Sequence, residues 1–297
     1  FAVDHPKGAD GFTNEKVGPA SLAEHKIHTV SRPRLPVAAK DSRGRDLLDQ
    51  VKSRDGQFTK TFENKLAQGL TEEHYLELDL GPWESSDNGK TPPHVMLYLT
   101  GWVYPGSTSL RVQHSQNPDL IQPRPPSLHA VDAQGQWKEV RPFMGFPGGK
   151  TKTIAIDISD VFAPGSTDHR LRIVSTMEFY WDAAFFTVDD SPVEYRQAEL
   201  TLARADLVDR GGVSSRQWPD SGNGPDQFFY DRLIPGDMWP PISGAFTRFG
   251  DIQPLLTTRD DHLVVMHPGD EIQLAFNVPS APIPDGWVRD FVIYSVG

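Results

Sequence analysis

Twenty-six prolines and 25 glycines cut this 297-residue chain into short pieces. The pieces between them are rich in β-branched and aromatic residues, and none keeps the 3.6-residue period of a long amphipathic helix. Such punctuation predicts a mostly β chain. "HYLELDLG", "HVMLYLTGWVY", "SLRVQHS", "PSLHAVDAQGQWKEV", "KTKTIAIDIS" and "HRLRIVSTMEFYWDAAFFTVD" read as successive strand segments. Within the fourth, "DAQGQW" has the make-up of a hairpin turn, and "DISDVFAPGSTDH" reads as a loop with a single turn of helix. Short strands without crossover helices predict an antiparallel β-sandwich over residues 72–195. The layout of its last strands is similar to that of galactose-binding-like jelly rolls.

Residues 1–71 are the most polar part of the chain, and Pro19, Pro33 and Pro36 mark them as an extended strap. A helix is expected at "RDLLDQVKSR", where Leu47, Leu48 and Val51 share a face, and a second at "FENKLAQGL". Residues 196–297 are expected to form a further β region packed on the sandwich. In it "YRQAELTLARADLVDRGG" reads as strand or helix, and "DDHLVVMHPGDEIQLAFNV" as a hairpin turning at "HPGD". The chain opens at Phe1 without Met and closes on the alternating "RDFVIYSVG" with no turn after it, so it is read as part of something longer. That last strand, left unpaired, invites pairing by another chain.

A net charge of −11, with no Lys/Arg run longer than two, argues against nucleic acid and anionic lipid as partners. There are no cysteines, which removes disulfides, thiolate metal sites and a Cys nucleophile. No apolar run reaches the ~18 to 20 residues that span a bilayer, so membrane insertion is not expected.

The motifs with catalytic or ligand chemistry are sparse. "GFPGGKT" (145–151) lacks one residue of a phosphate loop, and the β-like "KTIAIDIS" follows it instead of a helix. No Gly-x-Ser-x-Gly elbow occurs. His25 with His28, and His262 with His267, each lack a third zinc ligand nearby. Oxygen-rich loops are frequent, at "DSRGRD", "WESSDNGK", "DSGNGPD", "VDDS" and "RDDH". The most ligand-like set is Asp220, Asn223 and Asp226, a candidate for structural calcium; ordinary turn chemistry explains the same residues. No other cofactor is expected.

The stretch "MEFYWDAAFF", residues 177–186, concentrates aromatic rings and two carboxylates. In a regular strand Met177, Phe179, Trp181, Ala183 and Phe185 share one face, and Glu178, Tyr180, Asp182, Ala184 and Phe186 the other. The first face is core. The second suits either packing against a neighbouring segment or sugar recognition, with Tyr180, Trp102 and Tyr104 as stacking rings and Asp182 or Arg111 taking hydroxyls. Glu178 and Asp182 would have Cα atoms ~13 Å apart, a poor spacing for the acid pair of a glycosidase. Trp83, Trp218 and Trp239 read as loop anchors.

Taken together, "VDHP", "HYLELDLG", "LYLTGWVYPGSTS", "GFPGGKTKTIAIDIS", "LRIVSTMEFYWD", "FTRFGDIQPLL", "DDHLVVMHPGDEIQLAF" and "GWVRDFVIYSVG" resemble the C-terminal region of bacterial secreted FG-GAP/VCBS-repeat proteins with an ASPIC/UnbV segment, distantly similar to cartilage acidic protein. The resemblance implies an extracellular or periplasmic, cell-surface setting and a C-terminal module used for contacts. The propeller repeats of that family are not present in this chain. The resulting expectation is a non-catalytic interaction or assembly module with a protein partner or a second copy. A calcium-assisted carbohydrate-binding module is the alternative, with a glycan as partner; a glycoside hydrolase or lyase comes third.

Overall fold

The computed structural model describes residues 1–13, 27–83, 93–163, 165–217, 226–234 and 243–293. The chain is mostly β: the described residues form 20 strands, against three short helices. In chain order these are β1 (Ala2–Pro6), β2 (Asp10–Thr13), β3 (Ile27–Val30), β4 (Ala38–Asp41), α1 (Leu48–Val51), β5 (Thr59–Lys60), β6 (Lys65–Ala67) and β7 (Leu70–Asp79). Next come β8 (Val95–Val103), α2 (Thr108–Gln116), β9 (Ser127–Val131), β10 (Trp137–Arg141), β11 (Lys152–Asp157), β12 (Arg170–Met177) and β13 (Phe179–Val188). The remainder are β14 (Arg196–Ala198), β15 (Thr201–Asp209), β16 (Gly212–Gln217), β17 (Asp226–Ile234), β18 (Gly250–Asp251), α3 (Gln253–Leu256), β19 (Asp270–Asn277) and β20 (Trp287–Phe291).

Contacts divide the chain into two units. Among the described residues the larger lies within 9–193, and the smaller within 1–8, 194–217 and 226–293. Residues 38–71 contribute β4, β5 and β6 to the sheets of the larger unit.

The larger unit holds two large antiparallel sheets, one ordered β10-β9-β12-β7-β4 with β6 also on β7, the other β11-β8-β13-β5, and a two-stranded sheet β2-β3. One apolar core joins the two large sheets. Leu76 and Leu78 of β7, Leu128 of β9 and Leu171 and Ile173 of β12 cluster with Leu97 and Leu99 of β8, Ile154 and Ile156 of β11, and Phe179 and Trp181 of β13. Each such side chain contributes roughly 1.5–3 kcal/mol on burial. Trp181 fits because its cross-strand neighbour is Gly101, where a Cβ would come within 2.7 Å of the indole.

The outer face of the larger sheet is polar and ordered by charge. Register puts Lys40, Glu77, Arg172, His129 and Glu139 in one row across five strands. Lys40 and Arg172 both reach the buried Glu77, at 3.1 and 2.7 Å. Arg172 also lies between the rings of Tyr75 and Trp137, 4.2 and 3.9 Å from their centroids. Alternating charges across strands stabilise the pairing.

The four-stranded sheet has no open face along β8 and β13, whose residues are buried throughout. Val30 packs with Met96, Tyr98, Ala155 and Phe185 on the side away from the main core. The edge of β13 is closed piecemeal by the N-terminal segment: β5 pairs with Tyr180 and Trp181, Lys52 bridges Ala183, and Arg34 bridges Phe186.

Four local expectations are corrected. "FENKLAQGL" is not helical; it holds β6 and the Gly69 turn into β7, with Gly69 at φ +74°, where glycine is favoured. "SLRVQHS" is helix α2 instead of strand, with no buried residue to anchor it in a sheet and its backbone bonded internally. Only the second arm of the "HPGD" hairpin, β19, is a strand. The face parity of 177–186 also breaks: Trp181 opposes Gly101 and Ala183 opposes Thr100, so Asp182 is the extra residue of a β-bulge. Ala184 and Phe186 therefore join Phe179 and Trp181 in the main core, while Ala183 and Phe185 turn away from it. The helix expected at "RDLLDQVKSR" shortens to α1, with Leu47 and Val51 in the core.

The smaller unit contains sheets β14-β1-β20, β18-β15-β19 and β16-β17. Ala205, Leu207 and Ile252 are its buried cluster, with Leu202, Leu255, Val264 and Ile272 partly buried around them. Asp4 of β1 takes both guanidinium arms of Arg289 of β20, at 2.6 and 2.8 Å. The Arg289 hydrogen bonds hold the Asp4 carboxyl below the usual carboxylate range.

Candidate functional site

β12 ends at Met177 and β13 begins at Phe179, so the chain passes from one sheet to the other at a single residue, Glu178. Two backbone bonds pin this corner: Glu178 N–H donates to Gly69 O at 3.2 Å, and Tyr104 N–H donates to Glu178 O at 2.9 Å. The side chain turns inward and is 1% exposed. Oε1 accepts the Tyr180 hydroxyl at 2.6 Å and faces Lys65 Nζ at 2.5 Å. Oε2 accepts Gly69 N–H at 3.3 Å. A buried carboxylate needs this number of partners, because an unpaired one is strongly destabilising.

Rings surround the ion pair. Lys65 Nζ stands 5.4 Å from the Tyr104 ring centroid and 5.9 Å from that of Tyr180, within cation–π range. Trp102 meets Tyr104 edge-on at 5.4 Å and lies tilted against Tyr180 at 6.2 Å. On its other side Tyr180 meets Phe62, which in turn contacts His74. His74 Nε2 donates to Met177 O at 2.9 Å, which leaves Nδ1 to accept the Thr61 hydroxyl at 2.6 Å. Burial pushes the imidazole pKa down to about 4, so it is neutral at physiological pH.

Of the residues singled out in the sequence, Tyr180, Trp102 and Tyr104 are brought together. Tyr180 is 2% exposed and Trp102 5%, so neither presents a ring face to a sugar; Tyr104 is half-buried. Arg111, exposed on α2, lines a small depression with Gln68, Gly69, Leu110, His114 and Pro123. Asp182 is buried away from solvent, and its Oδ1 accepts the backbone N–H groups of Asp55 and Gly56 at 3.3 and 2.9 Å. Burial raises its carboxyl pKa, with those two N–H groups pulling the other way.

Asp220 and Asn223 lie outside the described residues, as does the side chain of Asp226, which opens β17. Trp218, Trp239 and His25 also lie outside them, with most of the "WESSDNGK" loop. The other oxygen-rich loops bind their own chain. Asp41 accepts Arg43 and Arg45 N–H groups and the Arg45 guanidinium; Asp189 accepts His94 N–H; Asp190 accepts from Ser31 and Arg32. Asp260, Asp261 and His262 gather their ligand atoms within 4.8 Å, all exposed, with Asp260 accepting from Thr258 and from His262 N–H.

No family model, curated protein or solved structure matches the chain.

Chemically, the corner is an internal ion pair: the Glu178 carboxylate, oriented by one hydroxyl and one backbone N–H donor, holds the Lys65 ammonium beside two ring faces. It is not an acid–base pair, since Glu178 and Asp182 are each fixed on different partners. Trp83 anchors its segment as expected, stacked on His169 at 3.4 Å. Lys65 went unmarked in the sequence because its segment has a helical pattern, and nothing local ties it to a glutamate so far along the chain.

Proposed function

We propose that this chain is a non-catalytic interaction and assembly module, acting outside the cytoplasm as part of a larger secreted repeat protein. The observation that carries the proposal is the apolar surface of the smaller unit. Leu274 and Phe276 of β19 oppose Ala205 and Leu202 of β15, and continue the buried face of that sheet into solvent. Leu263 and Phe291 stand 60% and 57% exposed in the same unit, with Val265, Val278 and Ile293 also exposed. An apolar sheet face left open to solvent, as at Leu274 and Phe276, suits a contact site.

Among the described residues β19 is also the edge of its sheet, and β20, which pairs with β1 and so is not the unpaired strand expected from the sequence, is the edge of another. An apolar face beside an edge strand suits strand addition by a protein partner or a second copy. The extracytoplasmic setting and the repeat-protein context rest on the resemblance to FG-GAP/VCBS and ASPIC/UnbV proteins. A carbohydrate-binding function would need Tyr180 and Trp102 at the surface, and their burial removes that support.

Light scattering over a range of concentrations tests the self-assembly form. A mass that rises with concentration, and returns to that of a monomer in Leu274→Asp/Phe276→Asp, is the expected result. Strict monomers at all concentrations, with no change in solubility between wild type and variant, would sink it.

A further inference from the structure

We infer that Glu178, Tyr180 and Tyr104 form an ammonium-binding site, occupied in this structure by the chain's own Lys65 and open to the primary ammonium group of a ligand when Lys65 withdraws. The site lies in the larger unit and does not depend on the apolar surface of the smaller one.

The walls of the site owe nothing to Lys65. Tyr180 O–H and Gly69 N–H orient the carboxylate, and the backbone bonds from Glu178 to Gly69 and from Tyr104 to Glu178 hold the corner. Trp102 backs both tyrosine rings. Lys65 itself sits on three-residue β6, and its side chain is 52% exposed. A flexible, half-exposed stem thus carries a point charge into a buried anionic site, an arrangement in which the cation is the replaceable part.

The geometry also selects the kind of cation. Oε2 is engaged by Gly69, and Oε1 already takes the Tyr180 hydroxyl, so the remaining direction on Oε1 suits a single point charge. A guanidinium prefers both oxygens of a carboxylate side by side. Ring faces add attraction for any cation and none for a neutral alcohol of the same shape. The ligand class is therefore a primary alkylammonium.

The test titrates the whole chain with n-butylammonium chloride and follows the Gly69 amide by NMR, with n-butanol, sodium chloride and guanidinium chloride as controls. Wild type should give a saturable Gly69 shift with butylammonium alone. Lys65→Ala should bind about tenfold or more tightly than wild type, because the internal competitor is gone. Lys65→Ala/Glu178→Gln should not bind. Lys65→Met, which keeps the apolar stem, serves if the alanine variant does not fold, and recovery of folding by butylammonium counts as binding. The inference is overturned by an absent or unsaturable Gly69 response in wild type, by equal effects of butanol or guanidinium, or by a folded Lys65 variant that binds no more tightly than wild type.

Discussion

Asp182 accepts the backbone N–H of Gly56 at 2.9 Å and so ties the bulge of β13 to a loop 126 residues earlier. The bulge frees Asp182 from the strand alternation, and the loop supplies the donors that a buried carboxylate requires. Removing the acceptor with Asp182→Ala should cost roughly 1–3 kcal/mol, measured by urea denaturation at pH 7, because two N–H groups lose their partner.

Charge at the same position has the opposite sign of effect. Burial raises the folded-state carboxyl above its ordinary 3.8, so between that value and the raised one the folded chain binds more protons than the unfolded. Stability therefore falls as pH rises through that window. Asp182→Asn keeps an acceptor without the charge, and its stability relative to wild type should increase over the same window; a difference that is flat with pH would refute this.

His74 works the other way. Its folded-state pKa of about 4 lies below the ordinary 6.5, so the unfolded chain takes up the proton first as pH falls. The stabilisation is complete above pH 6.5 and is lost on the way down to pH 4, with a total on the order of 3 kcal/mol. His74→Gln should remove most of that pH dependence, as read from denaturation midpoints at pH 7, 5.5 and 4.5.

Gly69 and Gly135 separate backbone strain from collision. Both have positive φ, +74° and +76°, but a Cβ on Gly69 would lie 2.6 Å from Gly106 Cα, and one on Gly135 meets nothing within 4 Å. Gly135→Ala should cost about 1 kcal/mol. Gly69→Ala should cost clearly more and also disturb the Glu178 corner, since Gly69 N–H donates to its carboxylate. Equal thermal shifts for the two variants would contradict the close approach.

The β character of the chain was legible because its punctuation and its β-branched runs are local signals, and β7, β8, β11 and the hairpin β9–β10 fall where those signals place them. The bulge at Asp182 was not legible. An inserted residue leaves no mark in composition, and it moves Ala184 and Phe186 to the core face that strict alternation assigned to Ala183 and Phe185. The burial of Tyr180 was hidden for another reason: its cover comes from Phe62 and β5, far away along the chain. Trp102, Tyr104 and Tyr180 were recognisable as a group, whereas Lys65 was not, because a long-range ion pair has no periodicity.

The piecemeal edge of β13 has a consequence for synthesis on the ribosome. The segments carrying Arg34, Lys52 and β5 emerge first, yet the strand they close is the last of the larger unit to be made. Until it appears Arg34, Lys52 and β5 lack these partners, although β4 and β6 of the same stretch can already pair with β7, and contacts so distant along the chain form slowly. The sandwich is thus completed only after its last strand is released, when the segments carrying Arg34, Lys52 and β5 close on its edge.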